Sequence, residues 1–90
     1  MTPEQWTLLL RYAHEGSRDS IATITSFMEA TQPDEHAKRV FTRLRRKLEG
    51  PRHYPTLRSV REAAHSWERY LDEEGRTDQA ERMHDIVANN

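Results

Sequence analysis

Three arginines, Arg39, Arg43 and Arg46, recur at spacings of four and three residues near the middle of the chain. On a helix, with about 100° of rotation per residue, these spacings bring the three side chains to one face. A guanidinium group presents a planar fork of donors that pairs with carboxylates and phosphates. The spacing therefore predicts a helical face that binds an anionic partner.

Further arginines follow in the next part of the chain and extend this prediction. They are Arg52 in a loop beside His53, and Arg58, Arg61 and Arg69 on the outward face of the following helix. A short connector between the two helices predicts that they are antiparallel neighbours. In that arrangement the arginines of both helices merge into one basic surface.

Local ion pairs are the alternative explanation of the same residues, because several acids lie four positions away. These pairs are Glu35 with Arg39, Arg45 with Glu49, Arg58 with Glu62, and Arg69 with Glu73. Each would contribute only about 0.2 to 0.5 kcal/mol and would make a solvated face. The arginines without such an acid are Arg43, Arg46, Arg52 and Arg61. Their number favours a binding surface.

The charge balance bears on the kind of partner. Net charge is −1, yet residues 38–61 hold nine Lys and Arg against the single acid Glu49. Domains devoted to nucleic acid are more often basic overall. We therefore predict a non-catalytic interaction module, such as a small regulator, adaptor or inhibitor, that presents its arginines to an acidic protein surface. A nucleic-acid-binding regulator that places the same arginines on phosphates remains the alternative.

A helix-turn-helix is one form of that alternative, with Ile21–Ala30 as the supporting helix and Pro33–Leu48 as the recognition helix. Such a helix normally turns its first residues toward base edges. Here those residues are Asp34, Glu35 and His36. Because the DNA backbone repels carboxylates, phosphate contact by the arginines is favoured over base reading.

Signals for catalysis or for bound cofactors are lacking in this sequence. The chain has no cysteine and three glycines, and it carries no glycine-rich phosphate loop and no GxSxG or HExxH motif. Its five histidines include no pair at a spacing of three or four. We expect no enzyme activity, no cofactor and no metal site.

The large apolar side chains divide between core and interface. Trp6, Phe41 and Trp67 lie on apolar stripes and are predicted to be core. Tyr12 and Tyr70 lie at stripe edges and are candidates for a dimer or partner interface, where tyrosine is favoured. A chain of 90 residues builds only a modest core, which makes a homodimer a reasonable expectation.

Caps and apolar periodicity predict five helices, which position these residues. The predicted spans are Thr2–Gly16, Ile21–Ala30, Pro33–Glu49, Thr56–Gly75, and a last short helix from Thr77. Together they predict one all-α domain over residues 1–90, a small bundle of four to five helices with short capped turns and mixed crossing angles.

Two local details are predicted within these spans. The second helix should bury a stripe of Ile21, Ile24, Phe27 and Met28. The third should begin with Pro33 at its first position and end at a left-handed Gly50.

Cellular location is predicted from the lack of long apolar segments. No apolar run exceeds Leu8 to Leu10, and the N-terminus lacks a secretory layout. With no cysteine in the chain, we expect a cytoplasmic protein without a membrane partner. A phage or plasmid origin would suit such a compact, arginine-rich chain.

Overall fold

The computed structural model describes residues 1–90 and contains helices but no strand. The five helices are α1 (Pro3–Glu15), α2 (Arg18–Thr31), α3 (Glu35–Glu49), α4 (Thr56–Glu73) and α5 (Thr77–Asn89). This confirms the prediction of a small all-α bundle. None of the five helices is both long enough and apolar enough to cross a membrane.

The start and end of α1 follow the predicted signals. The Gln5 side chain accepts from the Thr2 amide at 2.7 Å, and the Gln5 amide donates to the Thr2 hydroxyl at 3.3 Å. This reciprocal pair satisfies two amides that have no partner within the helix. Gly16 ends the helix with φ 74°, a left-handed conformation that glycine adopts without a steric penalty.

Other helix boundaries differ from the prediction. Helix α3 begins at Glu35, because the Asp34 carboxylate caps it by accepting from the His36 amide at 2.9 Å. Gly50 is extended, with φ −70°, and a Cβ there would lie 2.7 Å from the Arg46 carbonyl oxygen. Glycine is thus required at Gly50 for a close approach. Thr56 is the first residue of α4 and not its cap.

An aromatic cluster forms the centre of the core. Trp6 of α1 stacks on Phe41 of α3, with ring centroids 5.8 Å apart, and Trp67 of α4 lies 5.4 Å from Phe41. All three side chains are buried, as predicted. Their rings therefore hold α1, α3 and α4 together.

Helix α2 buries only part of the stripe that was predicted to face the core. Ile21, Thr25 and Met28 are buried, whereas Phe27 is 62% exposed. The buried residues are spaced by four and three, and Phe27 lies about 120° around the helix from the centre of that stripe. The predicted stripe is confirmed for Ile21 and Met28, and Ile24 is half-buried against the core. The prediction was wrong for Phe27, because Thr25 takes the core position.

Thr25 gives a direct test of this burial. Its hydroxyl group is fully buried and has no hydrogen-bond partner. Thr25→Val keeps the shape and removes a desolvated polar group, so we expect the free energy of unfolding to rise by about 1 kcal/mol in urea titrations. Thr23→Val, at an exposed position of the same helix, should change it by less than about 0.5 kcal/mol. A loss of stability in Thr25→Val would show that the hydroxyl is satisfied.

The Arg18 side chain joins the start of α2 to the connector between α3 and α4. Its guanidinium donates to the carbonyl oxygens of Lys47 (3.3 Å) and Leu48 (3.0 Å), at the end of α3. It also donates to the Tyr54 carbonyl (3.1 Å) and the Thr56 hydroxyl (2.9 Å). The last carbonyls of a helix lack partners within it and favour a positive charge. Arg18 therefore connects the start of α2 to the end of α3 and to the start of α4.

Candidate anion-binding groove

Helices α3 and α4 pack side by side and enclose a surface groove of about 450 Å³. The lining of this α3–α4 groove consists of Val40, Arg43, Leu44, Lys47, Ser59, Glu62, Ala63, His65, Ser66 and Arg69. Near the start of α3, the Tyr70 hydroxyl of α4 donates to Asp34; near its end, Lys47 pairs with Glu62. The two helices are thus antiparallel, as the short connector predicted.

Three guanidinium groups meet where the groove continues into a smaller depression of about 130 Å³. Arg43 and Arg69 line both spaces, and Arg39 lines the smaller one. All three side chains are exposed, and none of them forms an ion pair within the chain. The middle of the groove therefore concentrates positive charge that the protein itself does not neutralise.

Two of the predicted local ion pairs do not form. Arg39 does not reach Glu35, and Glu73 pairs instead with His36 across the groove end, at 3.1 Å. Arg69 is thereby left without the acid that its spacing offered. Arg39 and Arg69 therefore join the arginines that the sequence predicted to be without an acidic partner.

At the other end of the groove, positive charges share one carboxylate. Glu62 forms an ion pair with Lys47 and lies 3.6 Å from the Arg58 Nε atom. The hydrogen bond from Lys47 holds the pKa of Glu62 below its ordinary value, so this carboxylate stays charged at neutral pH. Arg58 is therefore partly neutralised, unlike Arg43 and Arg69.

The remaining basic side chains of α3 divide between its two sides. Arg46 lies on the outer face with Arg39 and Arg43, beside a depression of about 350 Å³. Arg45 instead turns toward α2, where its Nε donates to Glu29 at 2.7 Å. This bond lowers the pKa of Glu29. The predicted row of Arg39, Arg43 and Arg46 is thus continuous and exposed.

Two predicted site residues lie apart from the groove. Arg61 donates to the backbone oxygen of Asn90, at 3.1 Å, at the end of α5. Arg52 is exposed in the connector and does not line the α3–α4 groove. The arginines of the two helices therefore do not all merge into one surface.

Tyr70, which was predicted at the edge of an apolar stripe as a candidate interface residue, is buried in the structure. It is 6% exposed and its hydroxyl donates to the Asp34 carboxylate at 3.2 Å. Burial, and then this hydrogen bond, raise the pKa of Tyr70. Tyr12 is half-buried against the core. Tyr70 thus supports one end of the groove and offers no free ring to a partner.

Comparison with known proteins adds no assignment. No family model, curated protein or solved structure matches this chain. The functional proposal therefore rests on the geometry of the α3–α4 groove.

The first turn of α3 bears on the helix-turn-helix alternative. Asp34 is bonded to Tyr70, and His36 contacts both Tyr70, at a ring distance of 5.3 Å, and Glu73. These contacts engage the leading end of α3 with α4, where a recognition helix would need it free for base edges. The arrangement suits anion contact along the helix better than base reading from its end.

Proposed function

We propose that this protein is a non-catalytic binding module whose α3–α4 groove holds an acidic segment of a protein partner. The observation that carries this proposal is that Arg43 and Arg69 line the groove and Arg39 lines the depression that continues it, while none of the three forms an ion pair with an acid of this chain. Guanidinium forks bind carboxylates with two parallel hydrogen bonds, which gives both affinity and orientation.

The floor of the groove favours a peptide over a phosphate backbone. It is formed by the apolar side chains of Val40, Leu44 and Ala63, two from α3 and one from α4. An apolar floor between charged walls suits a segment that carries both apolar and acidic side chains. A phosphate backbone has no apolar group to place there.

The far side of α4 also favours a short acidic ligand. Toward α5, the acids Glu68, Asp72, Glu81 and Asp85 line a depression of about 270 Å³. A long polyanion that wraps around the molecule would meet this acidic surface and be repelled. A short segment confined to the α3–α4 groove would not.

Charge reversal in the groove tests the proposal. The probe is a fluorescein-labelled helical peptide whose glutamates are clustered within one helical turn and flanked by leucines, measured by fluorescence anisotropy. We expect Arg43→Glu with Arg69→Glu to weaken its binding by about 30-fold or more, since two carboxylates would then face the acidic peptide. Circular dichroism should show unchanged helicity, because both side chains are exposed.

A matched control carries the same charge change elsewhere. Arg11→Glu with Arg76→Glu alters two exposed arginines outside the α3–α4 groove, and we expect less than about a threefold effect. Equal losses in both double variants would contradict the proposal, because they would show that net charge alone drives binding. Failure of the unaltered protein to bind the peptide would contradict it as well.

Nucleic-acid binding is the second candidate, and the exposed row of Arg39, Arg43 and Arg46 favours it. The same variants can be titrated with labelled duplex DNA, single-stranded DNA and RNA at about 50 and 200 mM salt. Three phosphate contacts to a duplex predict a slope of about −2.7 on a log-log plot. Arg46→Glu separates the candidates: it should weaken nucleic-acid binding and spare the peptide, because Arg46 lies outside the groove.

A further inference from the structure

Beyond Asp19, which is exposed in its first turn, the outer face of α2 lacks charge. Between Ser20 and Thr31 the only charged side chain is Glu29, and it is bonded to Arg45 of α3 at 2.7 Å. Charged residues make up 32% of the whole chain, so a random stretch of this length would carry on the order of four of them. The solvent side of α2 therefore differs in character from the rest of the surface.

Phe27 lies at the centre of this uncharged surface, with 62% of its side chain exposed. Its neighbours on the outer side of the helix are small or uncharged. With Phe27 they form what we term the Phe27 face, composed of Ser20, Thr23, Ile24, Phe27, Ala30 and Thr31. A single exposed phenylalanine is common on protein surfaces, and this one is distinguished by the lack of charged side chains around it on the helix.

The hydroxyl groups of Thr23 and Thr31 on this face already have hydrogen-bond partners within α2. The Thr23 hydroxyl donates to the Asp19 carbonyl at 3.0 Å, and the Thr31 hydroxyl donates to the Phe27 carbonyl at 2.9 Å. These two donors are satisfied inside the helix. Removing water from the Phe27 face would therefore leave neither hydroxyl without a partner.

The rest of the chain leaves the Phe27 face uncovered except at Ile24, which is half-buried against the core. Helix α2 packs against α3 and α1, and these contacts use Ile21, Thr25 and Met28. The α3–α4 groove is lined by residues of α3 and α4 alone, so it shares no residue with the Phe27 face.

We propose that the Phe27 face is the contact between two copies of this chain. In a two-fold symmetric contact, each side chain meets the same surface of the other copy, so charged residues tend to oppose their own kind. The Phe27 face has no charge to oppose. Thr23 and Ala30 beside Phe27 are small, and they leave room for the ring from the other copy.

The length of the face sets the strength of the contact. From Ser20 to Thr31 the helix rises about 17 Å, which is short for a protein interface. Interfaces at the small end of the size range belong to weak, reversible complexes. We expect a weak dimer, which concentrated samples populate and dilute samples do not.

Sedimentation equilibrium from about 5 µM to 1 mM tests this dimer. We expect the unaltered protein to move from monomer to dimer across that range. Phe27→Glu should raise the dissociation constant by about 30-fold or more, because it places a charge where the aromatic anchor was. Leu8→Glu is the matched control: Leu8 on α1 is 40% exposed and lies outside the Phe27 face, so its dimer should persist.

Three results would overturn the proposal. The first is a monomer at every concentration of the unaltered protein. The second is a Phe27→Glu variant that dimerises as the unaltered protein does. The third is equal disruption by Leu8→Glu, which would place the contact on α1. Circular dichroism on each variant verifies that the exposed substitutions preserve the helices.

Discussion

Replacing Phe41 by alanine is expected to lower the free energy of unfolding by about 3 to 5 kcal/mol. Phe41 is fully buried and touches both tryptophans of the core, Trp6 and Trp67. Its removal leaves a cavity where three helices meet. A domain of this size has about 5 to 13 kcal/mol of stability in total, so urea titration should show a much earlier unfolding midpoint.

Phe27→Ala is the matched control, since it is the same substitution at an exposed site. With 62% of Phe27 already in water, we expect a change of less than about 0.5 kcal/mol under dilute conditions. Similar losses in the two variants would mean that α2 buries Phe27 in solution. That result would restore the stripe that the sequence predicted and contradict the structure.

Replacing Arg18 by methionine is expected to cost about 3 kcal/mol of unfolding free energy. The variant keeps most of the length of the side chain but loses four hydrogen bonds, two of them to the end of α3. Those carbonyls then depend on water, and the connector before Thr56 loses its attachment to α2. Urea titration and hydrogen exchange of residues 50–55 measure the two effects.

Arg11→Met provides the comparison, because Arg11 is exposed and forms no ion pair. We expect its stability to stay within about 0.5 kcal/mol of the unaltered protein. If Arg18→Met is equally mild, Arg18 does not organise the connector. The α3–α4 groove would then owe its shape to helix packing alone.

The sequence predicted most of the fold because several local signals agreed. In α1 the cap formed by Thr2 and Gln5 and the stop at Gly16 lie within one helix, and both are present as expected. In α3 the buried positions and the arginine row lie on opposite sides, so charge marks the face that meets water. Where polar and apolar residues separate in this way, periodicity identifies the core.

Helix α2 could not be predicted to the same accuracy because it lacks that separation. Its outer side carries almost no charge that would mark it as exposed. The stripe through Phe27 is the more apolar one in the sequence, yet the structure buries Thr25 in its place. Packing against α1 and α3 decided between them, and packing is not visible in the spacing of a single helix.

The contacts that shape the candidate site also could not be predicted from the sequence. Arg18 donates to backbone oxygens and a hydroxyl that lie 29 to 38 positions away, and any backbone carbonyl could have served. Glu73 pairs with His36 of α3 and not with Arg69 of its own helix, because the antiparallel packing of α3 and α4 brings His36 next to Glu73. Such choices depend on tertiary placement, whereas the arginine row depends only on helical spacing.

The distribution of ion pairs along the α3–α4 groove has a consequence for how a ligand would align. Glu73 pairs with His36 at one end, and Glu62 pairs with Lys47 at the other. The unpaired guanidinium groups of Arg43 and Arg69 lie between these two pairs. A ligand carboxylate at either end of the groove would be repelled by Glu73 or Glu62. It would be stabilised only at the centre, beside Arg43 and Arg69. The groove would therefore select the register of a ligand: it would favour segments whose acids are clustered at one position over those whose acids are spread along their length.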